Sequence, residues 1–150
     1  MQIIKDNQVE NDDWVYVPDD VELGDGDRIV SVTSLIQIGK ALSNRNGKLG
    51  VRITPEDSIA DIGEHLPKLA LVELYFTDFI DSRLFSQAWL LRNRLNFTGE
   101  IRATGHFLPD QVFYLSRVGV DTFSPENTEQ LSAIMAGLKD FSVKYQPSVN

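Results

Sequence analysis

Cysteine is absent from all 150 residues, which excludes disulfide bridges, thiolate metal sites, cysteine-ligated iron–sulfur clusters and a CxxC redox pair. Any redox chemistry needs a borrowed cofactor. Histidine is scarce too, with only His65 and His106, so an imidazole metal site requires the fold to bring those two together. No phosphate-binding loop, GxGxxG fingerprint, HExxH pair or GxSxG elbow occurs, and no tightly held metal, flavin or other cofactor is expected. Long apolar runs are missing, and Met1-Gln2-Ile3-Ile4-Lys5-Asp6 has no basic region leading into an apolar one. Neither export nor a membrane span is predicted, and the expected location is the cytoplasm.

Basic charge is also in short supply, with 14 Lys and Arg against 22 Asp and Glu. The imbalance is local. Residues 1–27 hold nine acids against Lys5 alone, a balance of −8, while residues 28–150 hold thirteen of each sign. An acidic leader on a neutral body argues against nucleic-acid binding and fits either a solvated segment or docking to a basic partner surface. The Asp19 to Asp27 stretch lacks the spacing of a calcium loop.

What is present reads as an α/β chain. Within the leader, Gln2-Ile3-Ile4-Lys5 and Trp14-Val15-Tyr16-Val17 are β-prone on either side of a polar stretch, predicting a hairpin. From Arg28 onward, strands predicted at 29–32, 49–53, 69–76, 100–105 and 121–123 alternate with amphipathic stretches. Thr54-Pro55-Glu56-Asp57 and Ser124-Pro125-Glu126 each offer a hydroxyl cap, a proline and an acid, so each predicts a helix start. Leu84, Ala88, Leu91 and Leu95 share one face of a helix expected from 81 or 82 to 96, and Gly119 is expected to stop a helix over 109–118.

Such alternation predicts parallel βαβ units with right-handed crossovers. The expected organisation is an acidic leader over 1–27, one α/β domain over 28–145 and a disordered tail over 146–150. The domain is expected to carry a mostly parallel sheet of about five strands, open and flavodoxin- or Rossmann-like, with an incomplete TIM-like (β/α) barrel as the alternative. Such an unclosed sheet also leaves room for a homodimer.

Charge inside strands is the chemical oddity. Arg52, Glu73 and Arg102 fall near the middle of the second, third and fourth predicted strands of the domain, each among apolar neighbours. A transverse Arg–Glu–Arg row would either close on itself as an ion-pair network or leave positive charge for a small oxyanion. In the second case Arg52 and Arg102 are anion ligands, Glu73 is the orienting partner or base, and His106, just past a strand's C-terminal end, is acid or base. On the helix after the third strand, Arg83, Gln87, Leu90 and Arg94 form a second stripe, either solvated or partner-binding, with Trp89 outside the core face.

A family resemblance adds to this reading. Asp81-Ser82-Arg83, Phe85-Ser86-Gln87-Ala88, Leu91-Arg92-Asn93-Arg94, Thr98-Gly99-Glu100-Ile101-Arg102-Ala103-Thr104-Gly105, Asp110-Gln111 and Arg117-Val118-Gly119-Val120-Asp121-Thr122-Phe123 resemble the bacterial "domain of unknown function 934" family. The motif positions singled out are Asp81, Arg83, Ser86, Arg92, Gly99, Glu100, Arg102, Gly105, Asp110, Gln111, Arg117, Gly119 and Asp121. The resemblance implies association with assimilatory sulfite reduction and cysteine biosynthesis, under a label of oxidoreductase. The expected role is an accessory or adaptor protein that binds a sulfite-reduction enzyme or its electron donor through the acidic leader and the Arg83–Arg94 face. The alternative is a small oxyanion-binding enzyme.

Overall fold

In the computed structural model, which describes residues 2–38, 45–78 and 82–144, eight strands form one sheet. They are β1 (Gln2–Lys5), β2 (Gln8–Asn11), β3 (Val15–Tyr16), β4 (Arg28–Ser31), β5 (Leu49–Ile53), β6 (Leu71–Phe76), β7 (Glu100–Gly105) and β8 (Thr122–Pro125). Their spatial order is β2-β1-β8-β7-β6-β5-β4-β3. From β3 to β8 every pair is parallel, while β1 runs antiparallel to both β8 and β2. The helices are α1 (Val32–Ile38), α2 (Arg83–Asn93), α3 (Val112–Arg117) and α4 (Leu131–Lys144).

Neighbours in sequence are neighbours in space from β3 to β8, with no reversal of order. The expected doubly wound, flavodoxin- or Rossmann-like sheet is therefore corrected. Successive right-handed crossovers in an unreversed order place all connecting helices on one face. Val30, Val51, Val72, Ile101 and Phe123 meet Leu35, Leu84, Leu91, Leu115 and Ile134 there in one apolar core. The opposite face is concave. Strands β2 and β3 occupy opposite edges yet are joined by Asp12-Asp13-Trp14 alone. Four Cα steps span roughly 14 Å at most, whereas eight strands laid flat put those edges roughly 34 Å apart. The sheet must curl, and it forms a half-barrel.

The leader supplies the three strands beyond the expected five. Ile3 and Ile4 are buried in β1. The hairpin is tighter than expected, pairing β1 with β2 through Asp6-Asn7, whose φ of 51° and 61° suit a two-residue type I′ turn. The β-prone Val15-Tyr16 instead joins β4 in parallel at the far edge.

Two predicted helix starts are also corrected. Thr54 N and Oγ1 donate to Asp57 Oδ2, forming a turn, and only 3₁₀ segments follow at Ile59–Asp61 and Gly63–Lys68, the second carrying Pro67. Ser124 and Pro125 belong to β8, and Asn127 caps the next turn by accepting from Glu129 N. Leu84, Ala88 and Leu91 are fully buried as predicted, but α2 ends at Asn93 and leaves Leu95 exposed. Gly119, with φ 109°, stops α3. Among the described residues no helix is long and apolar enough to cross a membrane. Asp81 and the tail over 146–150 lie outside the described residues.

Candidate functional site

The charged row exists in register: Arg52 faces Glu73 on β6, and Glu73 faces Arg102 on β7. All three sit on the concave face, because the alternating residues Val51, Ile53, Val72, Leu74, Ile101 and Ala103 point to the helices. The expected symmetric triad does not form. Glu73, with no solvent exposure, accepts from Arg52 Nε through Oε1 at 2.5 Å. Arg102 turns away from Glu73. Its Nη2 pairs with Asp12 and with Glu100 Oε2 at 2.8 Å, and its Nε donates to Thr122 Oγ1 at 3.2 Å. With 1% exposure and two carboxylates of its own, Arg102 is engaged within the fold, and its buried Nη1 has no hydrogen-bond partner among the described residues. Through Asp12 it ties the strand-crossing segment to the concave face, while Trp14 packs over Gly50, where a Cβ would stand 3.3 Å from its ring.

Arg52 is differently placed. Its guanidinium carbon lies 3.8 Å from the Tyr16 ring centroid and 4.3 Å from that of Tyr75, so aromatic rings flank it. Nε is committed to Glu73, and neither Nη group has an acceptor among the described residues. The side chain keeps 17% exposure. Burial pushes the Tyr16 phenol above its ordinary value, a rise the Arg52 charge partly offsets. Nearby on β4, Ser31 Oγ donates to Asp19 Oδ1 at 2.5 Å. The arrangement is an oriented cation whose end-on fork of N–H donors suits a carboxylate or a small oxyanion.

The other predicted positions scatter. His106 is half-buried at the C-terminal end of β7, where its N–H donates to Phe76 O at 2.7 Å. Gly105 is required there, since its φ is 95° and a Cβ would fall 2.5 Å from Phe76 O. On α2, Arg83 reaches Glu56 at 3.6 Å, Gln87 Nε2 donates to Asp57 O at 2.7 Å, and Leu90 packs partly on the core. Arg83, Ser86, Trp89 and Asn93 are exposed along that helix, as is Arg94 just past its end. Asp110 and Arg117 are exposed, and Gln111 Oε1 accepts from Leu108 N.

The remaining motif positions build a clamp at the N-terminal edge of the strands. Arg92 donates to Phe97 O, Gly99 O and Gly119 O and pairs with Asp121 Oδ2 at 2.6 Å, while Asp121 also accepts from Ile101 N. One guanidinium thus joins the end of α2 to the entries of β7 and β8. A cleft of about 390 Å³ lies beside it, lined by the pairs Arg92–Asp121 and Lys5–Glu100 and by Asp6.

Sequence reasoning found Arg52 and Glu73 but missed Tyr16, Tyr75 and Asp12. Tyr75 was accessible from strand alternation, being two residues past Glu73 on the same face. Tyr16 and Asp12 carried no such signal, because the pairing of β3 with β4 places the first beside β5 and the tertiary fold brings the second to β7.

Fold and site together define an α/β half-barrel protein with a flanked, carboxylate-anchored arginine on its concave face. A family model described as bacterial protein of unknown function (DUF934) matches residues 50–150, and the chain belongs to that family. The match takes in Arg52, Glu73, Tyr75, Arg102 and the Arg92 clamp, and leaves Asp12, Trp14 and Tyr16 outside it. Among curated proteins none matches the chain.

Proposed function

We propose that this protein is an accessory of assimilatory sulfite reduction and cysteine biosynthesis that binds a small oxyanion, sulfite or its close relatives, at Arg52. The single observation that carries this reading is the Arg52 guanidinium, held by Glu73 through Nε and flanked by Tyr16 and Tyr75, with both Nη groups turned to no protein acceptor among the described residues. The pathway itself comes from the family resemblance. Fixing the cation in advance removes the side-chain ordering cost that a free arginine would bear on binding.

The adaptor reading has its own support in Trp89, a large aromatic 45% exposed on α2. Its intended stripe is weaker than it looked, because Gln87 and Leu90 are engaged within the fold. In either reading, haem and iron–sulfur chemistry belongs to the partner enzyme.

Thermal melting with sulfite, sulfate and chloride tests the oxyanion reading. Ligand at a hundred times its Kd stabilises by about 2.7 kcal/mol. Sulfite is expected to raise the Tm of the wild type and leave Arg52→Ala unmoved. An equal rise in both proteins, or none in either, overturns it. Capture of a sulfite-reduction enzyme that is lost in Trp89→Ala, without any oxyanion response, installs the adaptor reading instead.

A further inference from the structure

We propose that the outer edge of β2 receives an extended, basic segment of a protein partner by strand addition. The inference does not rest on the Arg52 reading. Strand β2 ends the sheet, pairs only with β1 among the described residues, and has all four residues exposed. In a two-residue hairpin the pair flanking the turn, here Lys5 and Gln8, exchanges both backbone hydrogen bonds. The next pair, Ile4 and Val9, does not. Val9 and Asn11 therefore turn their N–H and C=O groups outward, which is the pattern an added strand needs. Val9, 47% exposed, adds apolar area on that edge.

Charge chooses the occupant. Asp6, Glu10 and Asp13 lie on the strand or beside its ends, while Asp12 is taken up by Arg102. A second copy of the chain is a poor fit. Antiparallel self-pairing must match outward residues with each other. With Val9 opposite Asn11 it sets Glu10 against Glu10. With Val9 opposite Val9 it sets Asp6 against Asp12, and with Asn11 opposite Asn11 it sets Glu10 against Asp12. Like charges directly opposite one another destabilise a strand pair, most in the first register and less in the other two, where Asp12 is already paired with Arg102. A segment with Lys or Arg at alternate positions turns the same contacts into attraction.

The test uses the full chain and an acetylated, amidated Lys-Val-Lys-Val-Lys-Val peptide, read by backbone NMR and amide exchange. Slowed exchange at Val9 and Asn11 on titration is expected. Affinity should drop at least tenfold for Val9→Pro, which removes one outward donor and is tolerated at a sheet edge, and likewise for Glu10→Lys. If Val9→Pro does not fold, the same peptide N-methylated at alternate residues makes the comparison, since it keeps the charge and loses the donors. Absence of binding, equal binding of the N-methylated peptide, or concentration-dependent dimerisation through β2 would each overturn the proposal.

Discussion

At the scale of single residues, two arginines in one sheet, Arg102 buried and Arg52 partly exposed, differ because their neighbours differ. Arg52 has one carboxylate, which positions it, and a partial opening to solvent. Arg102 has two and no opening. Replacing Arg102 with Met should cost about 3–4 kcal/mol, since breaking a buried pair from one side leaves uncompensated charge, here on Asp12, while Glu100 keeps Lys5. Glu73→Gln strands Arg52 only, and solvent reaches that cation, so about 2 kcal/mol is expected by the same rule after discounting for exposure. Urea unfolding of the two variants checks the order, and a Glu73→Gln protein that is the less stable of the two would contradict it. Tyr16 supplies a pH prediction. Its phenol ionises above 10.0, the ordinary value, when folded and at that value when unfolded. The stability it contributes is thus complete below about pH 10 and is lost as pH rises through its raised folded value. Ultraviolet titration should show a late-ionising phenol that disappears in Tyr16→Phe.

At the scale of elements, the β1–β2 hairpin is part of the sheet and not an appendage. Ile3 and Ile4 are 2% and 1% exposed, and Asp12 just beyond β2 holds Arg102. Deleting residues 1–14 should remove about 3–6 kcal/mol for the two isoleucines alone, enough to blunt or abolish a cooperative melt at ordinary stabilities. A truncated protein melting like the full chain would show that the hairpin contributes nothing to the core. Element types among the described residues of 28–144 were largely legible, because β6 is an apolar run broken by Glu73 and covered on one face by helices, and α2 carries a clear apolar stripe. The segment after Thr54 was not, since a cap-like Thr-Pro-Glu-Asp start competes with Pro67, and Asp57 spends its carboxylate on Thr54 itself.

At the scale of the whole molecule, curvature is the decisive property. The three-residue link between β2 and β3 holds the two edges together, so a six-residue Gly-Ser insertion between Asp13 and Trp14 should relax the curl without unfolding the centre. Amide exchange is expected to quicken in β2 and β3 and to stay slow in β5 to β7; uniform quickening would mean that the link stabilises the entire sheet. What the sequence by itself determined was local: strand and helix alternation, the turn chemistry at Gly119, the burial of Leu84, Ala88 and Leu91, and the presence of charges inside strands. Each of these follows from side-chain period or backbone preference within a few residues. Strand order, the eight-strand count and the split of the charged row into an Arg52 site and an Arg102 tie were decided by tertiary structure. The physical reason is that a buried arginine takes whichever carboxylate stands nearest in space. Asp12 reaches Arg102 only because a link of about 14 Å forces the edges of the sheet toward each other.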